Sequence, residues 1–308
     1  MKISGKLVLD QHYFKTLMRL LDNAQQQIDI IAFSFAIGSA KGVLAKNGTP
    51  YQIAQRLAEI KKKLKNKMSI RLYIEGERET ADRNHVTGDF LTKAGVKVKY
   101  GATHAKGFLI DEEIVLLGST NLTHQSITKN NEANIVFKDK RVFAECNRYF
   151  THLWSGGRHG EVKLKPPMLA DGDFKDALIE LINSAKKTLD FSIYFFHHSE
   201  IEHALIDAHK RGVKIFGFVH EHKAFAMSYV RRTIATAERL KKAGIRHIHF
   251  GPTHLFSHSK FIVADKKEIL LGTGNWLQED VEVHPQLHIL FENATLGKKL
   301  CEHLRTKI

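Results

Sequence analysis

Apolar and polar residues follow the same order in the two halves of the chain. In the first half, residues 14–24 carry apolar side chains at helical spacing and lead into an apolar strand at residues 28–35. In the second half, residues 174–185 and 189–196 repeat this helix and strand. Helical spacing marks one buried face, whereas a short apolar run is typical of a buried strand. The chain is therefore predicted to contain two copies of one helix–strand unit.

Further strands follow in each half, and a helix closes each half. The predicted strands are residues 69–74, 96–100, 108–110, 114–117, 213–219 and 246–250, and the closing helices are residues 142–154 and 296–306. Strands that alternate with helices indicate an α/β fold in which helices cover the faces of a sheet. We therefore expect two similar α/β lobes, each a mixed sheet flanked by helices.

The boundary between the lobes is predicted near residues 155–167. A Ser-Gly-Gly run at residues 155–157 ends a helix, and the Pro-Pro pair at residues 166–167 cannot continue one. The N-terminal lobe is assigned to residues 1–160 and the C-terminal lobe to residues 161–308. A fused repeat often does the work of a homodimer, so we expect a pseudo-two-fold axis with a shared site on it.

One sequence motif occurs twice, with the second copy 154 residues after the first. The first copy is His-Ala-Lys-Gly-Phe-Leu-Ile-Asp at residues 104–111, followed by Gly-Ser-Thr-Asn at residues 118–121. The second is His-Ser-Lys-Phe-Ile-Val-Ala-Asp at residues 258–265, followed by Gly-Thr-Gly-Asn at residues 272–275. Matches in register at one separation indicate an internal repeat.

Each copy places a histidine and a lysine two positions apart, His104 with Lys106 and His258 with Lys260. On a strand, side chains two positions apart point to the same face. If the lobes meet on a common axis, two imidazoles and two ammonium groups face each other. The result is a cationic pocket with two groups that titrate near neutral pH.

Other motif residues supply hydrogen-bonding groups or hold the backbone. Side chains with hydroxyl or amide groups follow the next strand of each copy and suit the oxygens of a bound phosphate: Ser119, Asn121, Thr273 and Asn275. Asp111 and Asp265 lie in turns between apolar strands, so they are interpreted as structural residues. This inventory suits a phosphoryl group and requires no metal.

The charge of the chain narrows the class of partner. Lys and Arg number 47 against 33 Asp and Glu, a formal net charge of +14, and both halves share the excess. Such a balance favours a polyanion, either nucleic acid or an anionic membrane surface. The apolar runs are strand-sized and the N-terminus lacks a signal-peptide core, so a cytoplasmic location without stable membrane association is predicted. Cys146 and Cys301 are expected to be buried thiols.

The tandem pattern His-x-Lys-x4-Asp followed by Gly-Ser/Thr-x-Asn resembles the signature of the phospholipase D superfamily, and its two copies span nearly the whole chain. The family includes lipid phosphodiesterases, phosphatidyl transferases and metal-independent nucleases. The resemblance implies that one histidine attacks phosphorus, the other protonates the leaving oxygen, and water releases the phosphohistidine. The lysines and asparagines of both motifs would stabilise the phosphate oxygens.

The family often carries Asn-x-Glu downstream of the motif, and residues 130–132 match it, whereas residues 284–286 end in glutamine. A carboxylate bonded to an imidazole fixes its tautomer and makes the other ring nitrogen more nucleophilic. We therefore hypothesise that His104 is the nucleophile, oriented by Glu132, and that His258 is the general acid.

Several residues between the predicted strands are candidates for substrate contacts. Four arginines should rim the cleft and could grip flanking phosphates: Arg78, Arg83, Arg231 and Arg232. His220 and His222 follow a strand whose end should face the cleft, Phe225 is a candidate for base stacking, and His254 for the entrance. The 19 histidines lack the spacings of zinc sites, so neither metal nor cofactor is predicted.

The leading functional hypothesis is a metal-independent nuclease that cleaves DNA or RNA. It rests on the basic lobes and on the lack of an apolar interfacial segment. The alternative is a phospholipase D or phosphatidyltransferase that acts on phospholipids, and a third reading is a catalytically silent nucleic-acid binder. A monomer with an internal pseudo-dimer is expected, and the sequence does not decide whether a higher oligomer forms.

Overall fold

Two seven-stranded mixed sheets form the framework of the protein. The computed structural model describes residues 3–221, 227–250 and 256–307. The strands of the first half are β1 (Gly5–Leu9), β2 (Gln27–Ala32), β3 (Ser69–Glu75), β4 (Lys97–Gly101), β5 (Gly107–Ile110), β6 (Ile114–Gly118) and β7 (Ala133–Lys138). They are ordered β1-β7-β6-β5-β2-β3-β4. The pairs β2–β3 and β3–β4 are parallel and the other pairs are antiparallel.

The second half repeats this topology. Its strands are β8 (Met168–Ala170), β9 (Thr188–Ile193), β10 (Phe196–His197), β11 (Lys214–Val219), β12 (Ile248–Phe250), β13 (Phe261–Ala264), β14 (Glu268–Gly272), β15 (Trp276–Leu277) and β16 (Leu287–Glu292). The second sheet is ordered β12-β11-β9-β13-β14-β16-β8, and β10 pairs separately with β15. Each strand of the second sheet corresponds to one of the first, so the predicted pair of similar α/β lobes is confirmed.

Helices flank both sheets. They are α1 (His12–Asn23), α2 (Thr49–Leu64), α3 (Ala81–Lys93), α4 (His124–Thr128), α5 (Lys140–Trp154), α6 (Asp173–Ser184), α7 (Ser199–Lys210), α8 (Met227–Lys242), α9 (Gln278–Glu282) and α10 (Ala294–Arg305). The amphipathic pattern explains the packing of α1, which buries Tyr13, Leu17 and Leu21 at helical spacing. Within the described ranges, no helix combines the length and apolar character that a bilayer span requires.

The two lobes share a hydrophobic core in addition to the core that each has of its own. Side chains from α5 and α10 join residues of both sheets in this shared cluster. Phe137 of β7 meets Phe291 of β16 edge to face, with ring centroids 5.5 Å apart. The cluster also contains Cys146 and Cys301, which are buried free thiols as predicted. Because apolar burial joins the lobes, the groups at their interface are held in a fixed relation.

Asp111 and Asp265 occupy equivalent positions in the β5–β6 and β13–β14 turns. Each has a positive φ, and each carboxylate accepts hydrogen bonds from three consecutive backbone N–H groups before the first central strand. For Asp111 the donors are residues 25–27, at 2.8 to 3.0 Å. The aspartates therefore tie the motif hairpin to the start of β2 or β9.

The two His-x-Lys segments lie just before β5 and β13 rather than on strands. The backbone N–H groups of His104 and His258 donate across the lobe interface instead of joining a ladder. The predicted strand at residues 28–35 likewise ends early, at Ala32, because the following residues turn toward the site, where Leu122 donates to the carbonyl of Ser34. The His-x-Lys segments thus lie at the ends of strands β5 and β13.

Candidate active site

The histidines of both motifs lie at the interface between the lobes. The backbone N–H of His104 donates to the carbonyl of Pro285 at 2.9 Å, and that of His258 donates to the carbonyl of Asn131 at 2.9 Å. Each motif is therefore anchored on the opposite lobe in the same way, as a pseudo-two-fold relation requires. Both imidazoles are more than nine-tenths buried, with relative exposures of 8% and 7%.

Each imidazole is oriented by a side chain of the opposite lobe. Nδ1 of His258 lies 3.1 Å from Oε2 of Glu132. Nδ1 of His104 lies 3.2 Å from Oε1 and 3.1 Å from Nε2 of Gln286. The predicted pairing of Glu132 with His104 is therefore wrong. Glu132 follows His104 in the sequence of the same lobe, but its side chain reaches across the interface and contacts the histidine of the other lobe.

Buried hydrogen bonds fix the two orienting side chains. The hydroxyls of Ser119 and Ser126 each donate to the Glu132 carboxylate at 2.5 Å. The hydroxyl of Thr273 donates to Oε1 of Gln286 at 2.8 Å. Ser119 and Thr273 are completely buried, and their role in substrate binding stays a prediction. Their hydroxyls hold the side chains that orient the histidines.

The motif lysines are also buried. Nζ of Lys106 donates to the carbonyl of His104 at 2.5 Å, and Nζ of Lys260 donates to the carbonyl of His258 at 2.7 Å. Burial and the neighbouring charge of the other lysine hold the pKa of Lys106 well below its usual value. Burial lowers the pKa of Lys260 to about 8, although Glu132 opposes the shift. Burial thus disfavours the charged form of both lysines, and a bound anion would favour it.

The electrostatic surroundings of the two histidines differ. Burial, with the charges of Lys106 and Arg78, holds the pKa of His104 well below its usual value. Burial also lowers the pKa of His258, but there the Glu132 carboxylate offsets part of the effect. Burial alone would raise the pKa of Glu132, yet His258 and Lys260 bring it below its usual value. The Glu132 carboxylate therefore contributes a negative charge beside His258, whereas the Gln286 amide contributes none beside His104.

An aromatic ring covers each His–Lys pair. Phe33 lies edge-on to His104, with centroids 4.6 Å apart, and Nζ of Lys106 is 5.0 Å from the same ring. In the second lobe, Tyr194 takes this position, 4.8 Å from His258 and 5.3 Å from Nζ of Lys260. Sequence reasoning did not assign either ring. The signal was available, because both residues directly follow the strands β2 and β9.

The two motif asparagines have different hydrogen-bond partners. Oδ1 of Asn121 is buried and has no hydrogen-bond partner in the portion of the chain that is described. Oδ1 of Asn275 accepts from the backbone N–H of Phe195 at 3.4 Å. The backbone N–H of Asn275 donates to Asp280 at 2.8 Å, whereas that of Asn121 donates to the hydroxyl of Ser126 at 3.0 Å. Asp280, which sequence reasoning missed, therefore adds a buried carboxylate to the second lobe only.

The predicted arginines are distributed unevenly. Arg78 forms a two-pronged ion pair with buried Glu75 at 2.8 to 3.0 Å, and its charge acts on His104. Arg232 pairs with Glu279 at 2.9 Å. Arg83 on α3 and Arg231 on α8 are exposed. Among the four predicted arginines, Arg78 is the one whose charge acts on a motif histidine within the described residues.

Of the remaining predicted residues, the structure describes His220. His220 is buried against Tyr194, with ring centroids 4.5 Å apart, and against Phe256 at 4.6 Å. His222, Phe225 and His254 are outside the described residues. Across the described ranges, no group of three or more His, Cys, Asp or Glu side chains is arranged to hold a metal ion.

Two tandem lobes with paired His-x-Lys motifs at their interface are the features by which the family of this chain can be recognised. The family model described as "Cardiolipin synthase, PLD-like domain" matches residues 17–154 and 178–307. The chain belongs to the phospholipase D superfamily, in its two-lobe form, as the motifs predicted.

Curated relatives match part of the chain. The mitochondrial cardiolipin hydrolase of Danio rerio is 28% identical over 39% of this chain and 50% of its own length. The protein of the same name from Chlamydomonas reinhardtii is 30% identical over 32% of this chain and 45% of its own length. The chain thus spans half or less of these relatives.

Solved structures match the whole fold. Phosphatidylserine synthase of Haemophilus influenzae Rd KW20 superposes with a TM-score of 0.77 at 10% identity, covering 99% of this chain and 87% of that one. Polyphosphate kinase from Porphyromonas gingivalis superposes with a TM-score of 0.70 at 14% identity, covering 98% of this chain and 46% of that one. At these identities the likeness concerns the fold alone.

Proposed function

We propose that this protein is a phosphodiesterase that cleaves phospholipids through a phosphohistidine intermediate on His258. The observation that carries the proposal is the pair of buried imidazoles, each held at Nδ1 by the opposite lobe and each beside a buried lysine. Two imidazoles on one phosphorus supply a nucleophile and a proton donor, and the lysines supply positive charge for the oxygens.

The assignment of the nucleophile follows from the orienting side chains. A carboxylate only accepts hydrogen bonds, so Glu132 requires a proton on Nδ1 of His258 and leaves Nε2 with its lone pair. When Nε2 attacks phosphorus, the ring becomes cationic, and the carboxylate stabilises that charge. The argument that first favoured His104 therefore favours His258 once the cross-lobe pairing is known.

His104 then serves as the general acid. Oxygen and nitrogen of the Gln286 amide both lie within reach of Nδ1, so the amide can accept from a charged ring or donate to a neutral one. A bound phosphodiester anion opposes the charges of Lys106 and Arg78 and thereby favours the protonated ring. His104 gives its proton to the leaving oxygen and later takes one from the attacking water.

The relatives support a phospholipid substrate better than the nucleic acid that was expected first. The matching family model is described by cardiolipin synthase, and two curated relatives are named cardiolipin hydrolases. Nucleic acid is the second candidate, because the formal net charge of +14 suits any polyanion. The cytoplasmic location stays a prediction, since those two relatives are named mitochondrial proteins.

The test combines a substrate panel with trapping. Vesicles of cardiolipin, phosphatidylglycerol or phosphatidylcholine, and labelled single- and double-stranded DNA and RNA, are incubated with the protein in the presence of a chelator. The expected result is headgroup release from phospholipid that is lost in His258→Ala and His104→Ala. After a quench without acid, mass spectrometry should find the phosphatidyl group on His258.

Each other outcome has a definite meaning. Cleavage of nucleic acid without lipid turnover would overturn the substrate class and restore the nuclease hypothesis. A phosphoryl group on His104 would reverse the assigned roles. A matched control is His203→Asn on the exposed face of α7, which should keep full activity. Activity that requires an added metal ion would contradict a mechanism based on the paired motifs.

A further inference from the structure

A third imidazole lies beside His104. Nδ1 of His284 is 2.7 Å from Oδ1 of Asp280, and the ring centroids of His284 and His104 are 6.4 Å apart. The Asp280 side chain is 4% exposed and that of His284 is 23% exposed. The pair therefore combines a buried carboxylate with an imidazole that solvent can reach, at the edge of the candidate active site.

This arrangement is present in one lobe only. The residues at the same positions of the repeat are Ser126 and Asn130. Asn130 donates to Glu132 at 3.2 Å and Ser126 donates to the same carboxylate. In the first lobe these side chains thus serve the Glu132–His258 pair, whereas in the second lobe they form a separate Asp–His pair. The asymmetry places the extra imidazole on the side of His104.

The carboxylate determines which nitrogen of His284 carries a proton. Asp280 accepts from Nδ1, so in the neutral ring Nε2 has a lone pair that can accept a hydrogen bond. A water that bonds two ring nitrogens at about 2.8 Å each spans about 4 to 5 Å between them. Rings with centroids 6.4 Å apart allow such a spacing. One water can therefore be held between His104 and His284.

We propose that His284 positions the water that hydrolyses the phosphohistidine and thereby favours water over alcohols as the acceptor. The inference rests on the proposed function, with His258 as nucleophile and His104 as general acid. After the leaving group departs, water enters beside His104 and gives one proton to that ring while its oxygen attacks phosphorus. The bond from phosphorus to Nε2 of His258 breaks, and its electron pair returns to the ring.

The second proton of the water is the basis of the selectivity. It can be donated to Nε2 of His284, which directs the oxygen lone pair toward phosphorus. An alcohol has one hydroxyl proton, which it gives to His104, and its carbon group must take the place beside His284. The imidazole therefore gains a hydrogen bond with water that no alcohol supplies, and hydrolysis is favoured over transfer.

The test measures how the intermediate partitions. The protein, His284→Asn and the exposed control His203→Asn turn over bis(para-nitrophenyl) phosphate, and the best substrate of the panel above, in the presence of glycerol or ethanol. The asparagine variant reproduces the side chain of Asn130. Phosphorus NMR separates hydrolysis from transfer products. The ratio of transfer to hydrolysis should rise about three- to tenfold in His284→Asn, the equivalent of one hydrogen bond, and stay constant in His203→Asn.

Formation of the intermediate provides a second measurement. The burst of nitrophenol should persist in His284→Asn, because the first step does not use this residue, and phosphoenzyme should accumulate. An unchanged ratio with an active, phosphorylated enzyme would overturn the role of His284 and leave the proposed function intact. Absence of any phosphodiester turnover by the unmodified protein would instead overturn the proposed function, and phosphoryl trapped on His104 would overturn both assignments.

Discussion

Glu132 and His258, which belong to different lobes and lie 126 residues apart in the chain, are joined by a contact of 3.1 Å between Oε2 and Nδ1. The same carboxylate accepts hydrogen bonds from three side chains of the first lobe, those of Ser119, Ser126 and Asn130. These bonds hold it in the orientation that contacts His258. The contact makes the active site a joint product of both lobes. Neither lobe contains an oriented histidine without the other.

Replacing Glu132 with glutamine should lower kcat about 10- to 100-fold. The variant keeps the shape of the side chain and removes its charge, and a hydrogen bond between charged groups contributes about 1.5–3 kcal/mol. Initial rates on a phosphodiester, with thermal unfolding to confirm folding, check the effect. Glu112→Gln, at an exposed position of the β5–β6 turn, is the matched control. Unchanged kcat in Glu132→Gln would remove the reason for assigning His258 as the nucleophile.

The leaving group should distinguish the two histidines. In His104→Ala, cleavage of an alkyl phosphodiester should fall about 10²- to 10⁴-fold, the usual contribution of a general acid. With a nitrophenyl ester the burst of nitrophenol should be retained, because nitrophenolate departs without a proton, whereas turnover after the burst should be slow because His104 also accepts the proton of water. His258→Ala should lose both activities. If the nitrophenyl ester rescued His258→Ala and not His104→Ala, the roles would be the reverse.

A carboxylate at residue 286 should change the pH profile. Burial and the charges of Lys106 and Arg78 lower the pKa of His104, and Gln286→Glu places a negative charge beside its Nδ1. The pKa of His104 should therefore rise, and the loss of activity with increasing pH should move to higher pH because the acid keeps its proton longer. A profile of kcat against pH measures the shift. Movement of this limb to lower pH would contradict the role of His104.

Lys260 should reduce stability while it supports catalysis. Its pKa of about 8 lies below the usual 10.5, so the unfolded chain binds the proton more tightly. Lys260→Met should abolish activity and raise the free energy of unfolding by about 1–4 kcal/mol near neutral pH. The gain in the free energy of unfolding that Lys260→Met brings should shrink as pH rises from about 8 to 10.5, because Lys260 of the unmodified folded protein then loses its charge.

Urea unfolding at several pH values measures this difference. Lys62→Met, on the exposed face of α2, is the control and should alter stability little at any pH. A Lys260→Met variant that is less stable than the unmodified protein near neutral pH would show that Lys260 is well compensated in the folded state. The stability argument would then fail, whereas the catalytic argument would stand on the loss of activity.

Asp111→Ala should destabilise the fold without a specific effect on chemistry. The carboxylate accepts three backbone N–H groups of residues 25–27, and their loss should cost about 1–3 kcal/mol. Urea unfolding measures the loss, and kcat of the folded fraction should be unchanged. Asp265→Ala tests the equivalent turn of the second lobe. A fall in kcat without loss of stability would instead assign the aspartate to catalysis.

Much of the fold could be predicted because it depends on local patterns. Apolar spacing located the central strands and helices to within a few residues, and the repeat of 154 residues predicted two similar lobes. The motif identified His104, Lys106, His258 and Lys260, and the structure places all four at the interface. Polar residues that follow strands were harder to interpret. Ser119 and Thr273 suited a phosphate by type, yet they are buried behind the side chains that they orient.

The sequence by itself determined the repeat, the α/β lobes and the chemical groups of the site, because these depend on residue type and spacing along one segment. Only the tertiary structure decided which carboxylate or amide serves which histidine, since that depends on how two lobes pack through their shared core. The packing of the lobes pairs Glu132 with His258 and Gln286 with His104. It also brings His284 beside His104, a contact between residues 180 positions apart in the chain that no local pattern encodes.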